Sequence, residues 1–317
     1  MELQQPKPIE VVLFVDEIKP DATKSPWCYL GLVSVPMSNW DYLYRKLKAS
    51  RDSTGFQREI KFHKIKRARN ERSRCVYSWL PLLIEKDHGV RWSVVGINTS
   101  MLQLERFGDF KSEQQVSLQR RFLRATVRHH LKTCYRTQGK QVHVVRFFHD
   151  TEGRLEADPY FQWHAINWLQ THEQGISFAE ANIRFIHSDH EKETKFKRAS
   201  HAVQLCDVLI GAIQHAHLDT QLIHHPNWDV TKRKFPERDR LAELFHPLLA
   251  PMLDPKKAQN VNSRYGYVGR CNLAFFPSRA LSAAEFEDPF TRAQSTFYRA
   301  EPLKGLERNR LQLRLGI

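Results

Sequence analysis

Much that would mark a particular class of protein is missing from this 317-residue chain. Its five cysteines, Cys28, Cys75, Cys134, Cys206 and Cys271, are odd in number and widely scattered, and none forms a C-x-x-C pair. A disulfide framework and a cysteine zinc site are therefore not expected, and a reducing cytoplasm fits. No apolar run approaches the roughly 20 residues that span a bilayer. The N-terminal Met-Glu-Leu-Gln-Gln-Pro-Lys-Pro lacks the basic region and apolar stretch of a secretory signal. There is no P-loop, no Ser or Cys in a nucleophile-elbow pattern, no internal repeat and no low-complexity segment. Acidic residues are also in deficit, 35 against 49 Lys and Arg.

That imbalance leaves a net charge of +14, which speaks about partners more than about fold. Phosphate polymers are the usual reason for it, so nucleic acid is the expected partner. A content of 41% hydrophobic and 11% aromatic residues supports a sizeable packed core.

Hydrophobic patterning places strands at 9–15, 27–35, 91–97, 141–148 and 182–187. Helices are expected at about 38–49, capped by Ser38, at 70–87 with a kink or break at Pro81, and at 112–135. Two more are expected at 159–173 and 198–217. Two or three strands first, then strands alternating with helices, imply an α/β mixed sheet with helices on its faces. Past Leu218, Pro226, Pro236, Pro247, Pro251 and Pro255 punctuate short helical pieces, with Asn272–Phe276 a possible edge strand. The expected organisation is a core over 1–225 and a mostly helical extension over 226–317.

Three aspartates stand where carboxylates are costly. Asp16 closes Val-Val-Leu-Phe-Val, Asp150 closes Val-His-Val-Val-Arg-Phe-Phe-His, and Asp207 lies inside Val-Gln-Leu-Cys-Asp-Val-Leu-Ile-Gly-Ala. A strand-end Asp is often a turn or cap, so the first two are weak singly. Asp207, on an apolar helix, needs a partner, either an Arg or Lys or a divalent cation. Carboxylates that converge can hold two metals roughly 4 Å apart, which activate water and stabilise a leaving oxygen in phosphodiester hydrolysis. Mg²⁺ or Mn²⁺ suits oxygen ligands.

Taken in order, Val-Asp16-Glu17, Arg-Glu59-Ile-Lys61-Phe, His149-Asp150 and Gln204-Leu-Cys-Asp207-Val-Leu-Ile-Gly-Ala212 resemble a large bacterial family of the RNase H-like superfamily. It is the domain of unknown function numbered thirty-eight hundred, and the resemblance covers residues 9–215. It implies an RNase H-like sheet, metal ligation by Asp16, Glu59, Asp150 and Asp207, and Lys61 and Gln204 beside the site. A role in phage defence or beside a mobile element is a family-level expectation. The chain departs from the family in carrying Ile18-Lys19 where Ser-Gly is usual and Cys206 where Ala is usual.

Other residues bear on the chemistry. Glu17 should face away from Asp16, because neighbours on a strand alternate. Glu152 and Asp189 are alternative or auxiliary ligands, and Lys19 could reach substrate phosphate. The basic run after Glu59, with Lys61, Lys64, Lys66, Arg67 and Arg69, could lead backbone phosphates to the site. Arg120, Arg121, Arg124 and Arg128 offer a second basic stripe on one helix. Sixteen histidines raise a zinc hydrolase acting on a small molecule, with His187, His190, His215, His217, His224 and His225 as candidates. His215 and His217, two apart on a helix, point in different directions and do not readily share an ion. The leading expectation is a Mg²⁺- or Mn²⁺-dependent nuclease. Its rival is an inactive RNase H-like nucleic-acid-binding protein.

Overall fold

The computed structural model describes residues 7–19, 26–65, 69–85, 88–135, 141–151, 153–158, 161, 166–222, 236–245 and 270–276. A seven-stranded mixed sheet forms the centre, as expected for an RNase H-like α/β fold. β1 (Ile9–Ile18), β2 (Trp27–Pro36) and β3 (Arg91–Asn98) make an antiparallel meander. β4 (Val142–Asp150) adds parallel to β1, and the short β5 (Ile176–Phe178) and β6 (Arg184–Ile186) add parallel to β4. β7 (Cys271–Phe276) lies parallel to β3 at the other edge. The residues beyond 225 therefore contribute to the same sheet as the first 225, and β5 is a strand the patterning did not show.

Strand alternation divides the core between the two faces. Val12, Phe14, Val33, Val35, Val94 and Phe148 pack on one side. There they meet α1 (Trp40–Thr54), α2 (Glu71–Ile84) and the long α6 (Lys197–Leu222). Val11, Leu13, Val15, Leu32, Val144 and Phe147 pack on the other, against α3 (Lys111–Tyr135). Short helices α4 (Gly153–Ala157) and α5 (Trp168–His172) follow β4. Residues 159–160 and 162–165 lie outside the described residues, so the helix expected over 159–173 is seen only in part. α7 (Pro236–Glu243) packs near α6 and α2.

Two local expectations differ from what is found. Pro81 sits in the last turn of an unbroken α2, where its missing N–H costs one bond and Pro81 O still accepts from Glu85 N. α2 is opened by Asn70 and Ser73, whose side chains each accept the other's backbone N–H in a capping box. Ser38 does not cap α1; a 3-10 turn, Met37–Asn39, leads into it, and Ser38 Oγ donates to Asn39 Oδ1.

Close approach of α6 is what matters for the site. Gly31, opposite Asp16 in the β1–β2 register, faces α6; a β-carbon there would lie 2.5 Å from Ile210 Cγ1. A β-carbon on Gly211 would lie 2.4 Å from Phe62 Cβ and Cγ. Neither glycine is chosen for backbone freedom; each is the absence of a side chain where two elements touch. Gly211→Ala should therefore lower stability by about 1–3 kcal/mol through overpacking against Phe62. Denaturant titration gives the number, and a variant as stable as the parent would mean that the contact yields freely.

Candidate metal or phosphodiester site

The 59–62 segment is fastened to one stripe of α6. Gln204, Asp207 and Gly211 follow one another at intervals of three and four residues, about one helical turn each, so all three face the same way. Gln204 Oε1 accepts from Ile60 N at 2.8 Å, Asp207 Oδ2 accepts from Phe62 N at 2.9 Å, and the gap over Gly211 takes the Phe62 ring. Behind them Arg51, fully buried, donates to the carbonyls of Phe56 and Arg58, to Gln204 Oε1 and, at 3.0 Å, to His201 Nδ1. Burial lowers the Arg51 guanidinium to about 10, which leaves it a cation at neutral pH. Gln204 is thus the hub between the guanidinium, the 59–62 backbone and Ser188 O, to which its amide donates.

Alternation brings the two strand-end aspartates to this side. Asp16 shares the face of Phe14, and Asp150 that of Phe148, both packed towards α6. Glu17 and His149 turn to the α3 face, where Glu17 Oε2 lies 3.3 Å from His149 Nε2 and Gln119 Nε2 donates to Glu17 Oε1. Glu17 faces away from Asp16 as expected, but it is enclosed by α3.

The four carboxylates named from the sequence form one electrostatic cluster. Asp16 and Asp207 make its floor, 6% and 8% exposed, while the side chains of Asp150, Glu59 and Lys61 form a rim 17–21% exposed. Burial pushes the Asp16 carboxyl well up, and the charges of Asp207, Asp150 and Glu17 add to that. Burial likewise raises Asp207, to about 6, with Asp150 and Glu59 contributing and with Lys61 and the Phe62 N–H opposing. Burial presses Glu59 up too, yet its bonds to Ser188 and to Lys64 and the charge of Lys61 hold it below the usual range.

Lys61 stands among all four. Its Nζ is 3.1 Å from Asp150 Oδ2 and 3.5 Å from Glu59 Oε1. Burial disfavours the ammonium, but Asp16, Asp150, Asp207 and Glu59 together raise its pKa above that of free lysine. Lys64 Nζ holds the outer oxygen of Glu59 at 3.2 Å. All-oxygen donors of this kind suit a hard divalent cation. Their placement does not yet form a cage: among the described residues no three His, Cys, Asp or Glu side chains are set to hold one ion. The two observations are compatible, because charges act on one another across several ångströms whereas Mg²⁺ coordinates at about 2 Å.

Patterning missed Ser188. Its hydroxyl donates to Glu59 Oε1 at 2.8 Å and its N–H to Asp150 Oδ1 at 3.0 Å, so one small residue ties two carboxylates. The signal was one position away: Asp189 drew attention as the charged neighbour, but it heads a turn, accepting from Glu191 N at Oδ1 and from Lys192 N and Glu193 N at its carbonyl. Lys19 lies past the end of β1 and lines a cavity of about 410 Å³ with Cys28, Leu118 and Gln119, on the α3 face. A second cavity, of about 660 Å³ and bounded by Phe107, Arg120 and Asp158, is also against α3.

Of the basic run, Lys61 and Lys64 reach the cluster, and Arg69 lies 5.4 Å over the Tyr77 ring. Lys66, Arg67 and Glu152 lie outside the described residues. The α3 stripe is engaged within the molecule: Arg120 with Asp158, Arg121 over Phe107, Arg124 over Trp168 and Arg128 with Glu173. It is on the face opposite the carboxylates, and these contacts account for it. Among the histidines, His215 Nε2 meets Asp239 Oδ1 at 2.6 Å and His190 lies against His201, ring centroids 4.5 Å apart. The side chain of His217, and residues 224 and 225, lie outside the described set.

No protein-family model matches the chain, and no curated protein matches it. The family resemblance rests on the motifs alone.

The raised Asp207 carboxyl carries a pH signature. Folding lifts it from 3.8 to about 6, so the folded state binds the proton more tightly. Its contribution to stability is full below about pH 4 and is lost as the pH rises to about 6. In metal-free protein, thermal melts across that interval should show a steeper decline for the parent than for Asp207→Asn. Identical slopes would mean that Asp207 is not under this pressure.

Proposed function

We propose that this chain is a divalent-metal-dependent nuclease that hydrolyses phosphodiester bonds in DNA or RNA, with Asp16, Glu59, Asp150 and Asp207 as its centre. One observation supports this above the others: four separate stretches of chain deliver four carboxylates to one end of one sheet face, where their neighbours raise the electrostatic cost of the buried Asp16 and Asp207. Acids are crowded in this way where a cation is to be recruited. The donor set is the kind Mg²⁺ or Mn²⁺ takes, and that ion would supply charge stabilisation at a scissile phosphate.

The surroundings agree with a polymeric anion as substrate. Lys61 and Lys64 lie at the rim, and the net charge is +14. Among the described residues no helix is long and apolar enough to cross a membrane. All five cysteines are free and buried, which fits a reducing cytoplasm. A bacterial setting and a role in phage defence follow only from the motif resemblance.

A second reading is favoured by the ammonium of Lys61 between Asp150 and Glu59 and by the altered first motif. In it the chain binds nucleic acid without cutting it. Incubation with DNA and RNA in Mg²⁺ or Mn²⁺ separates the two. A nuclease gives metal-dependent products, and Asp16→Asn and Asp207→Asn each reduce cleavage roughly 10³-fold without lowering the melting temperature, as expected for the loss of several kcal/mol of charge stabilisation. Salt-sensitive binding without product supports the second reading, and undiminished cutting by both variants removes the carboxylates from the chemistry.

A further inference from the structure

Four carboxylates confined together demand positive charge, and the chain places one there. Lys61 is not a loose surface lysine. The peptide N–H groups on either side of it, of Ile60 and Phe62, are held by Gln204 and Asp207, so its backbone is fixed against α6. From that anchor the four-carbon stem carries Nζ to Asp150 and Glu59, within electrostatic reach of Asp16 and Asp207. The same ammonium thus touches one ligand from β4 and one from the 59–62 segment. These are groups that would have to close on a shared cation, and among the described residues no three acidic or histidine side chains are yet set to hold one.

We propose that Lys61 is a built-in counter-cation of the metal-free site, and that its contacts to Asp150 and Glu59 and the binding of a divalent metal exclude one another. Two cationic centres cannot share this small volume without strong repulsion, and Asp150 Oδ2 cannot serve both at full strength. Arrival of the metal therefore swings Lys61 about its fixed backbone outward into solvent, on the side where a backbone phosphate would lie. The lysine keeps the acids assembled before loading and becomes a phosphate contact afterwards. Metal affinity is weakened as a result, because the ion has to displace a resident charge. This inference rests on the nuclease reading only in supposing that metal binds at these carboxylates.

The test is Mn²⁺ binding to the full-length protein without nucleic acid, followed by titration calorimetry and by the electron paramagnetic resonance of free Mn²⁺. Lys61→Gln should bind Mn²⁺ about tenfold more tightly than the parent, or better, and gain more in melting temperature on loading. Before loading it should melt lower, since the acids have lost their counter-charge. Lys61→Arg, which keeps a cation, should stay close to the parent. If Lys61→Gln does not fold, the comparison passes to Glu59→Gln with and without Lys61→Gln, where one charge of each sign is gone and the doubly substituted protein should bind more tightly. Equal, measurable affinities with and without the lysine overturn this inference and leave the nuclease reading standing. No Mn²⁺ bound by either protein overturns both.

Discussion

Mutual repulsion among buried carboxylates governs the organisation of this molecule around its candidate site. Asp16 and Asp207 are nearly closed off from water; Asp16 feels Asp207 and Asp150, and Asp207 feels Asp150 and Glu59. Left alone, such a group drives its own elements apart. What opposes that is a set of specific attachments: the Phe62 N–H on Asp207, the Ser188 hydroxyl and N–H on Glu59 and Asp150, and the Lys61 ammonium between Asp150 and Glu59. The site is a balance between like charges and the donors that restrain them.

The helix α6 makes that balance possible, since it approaches both the sheet and the 59–62 segment closely. Gly31 and Gly211 remove side chains at the two points of contact, and Gln204 and Asp207 meet the backbone N–H groups of Ile60 and Phe62 across the narrowed gap. A segment with no regular partner strand thereby has its polar groups satisfied by helix side chains. Arg51 serves the same end from beneath, with Phe56 O, Arg58 O and Gln204 as its acceptors. A buried guanidinium is tolerated here because nearly all its donors are used.

Much of this was legible in the sequence, and for identifiable reasons. The alternation around Asp16 and Asp150, and the apolar helix around Asp207, follow from periodicity, and those three residues share one face as periodicity requires. Glu59 was found through its motif, since nothing local distinguishes a glutamate in a loop. Ser188 was not found, because an uncharged hydroxyl gains its role only from two partners distant in the chain, 38 and 129 positions away. The arginine stripe of α3 reads as a solvated face until the acids and rings that meet it are known. β5 and the capping of α2 escaped because three-residue strands and single caps carry little pattern.

Contacts made by α7 bear on how the chain can be divided. Arg238 donates to the carbonyls of His63 and Ile65, immediately after the segment that bears Glu59 and Lys61, and Asp239 holds His215 on α6. β7 meanwhile completes the sheet beside β3. The helix thus acts as a strut from outside, gripping the turn that follows the 59–62 segment. Cutting the chain after α6 would strip those two carbonyls of their guanidinium and bare the β3 edge, so the fragment that remained would keep its acids but not the scaffold that aims them.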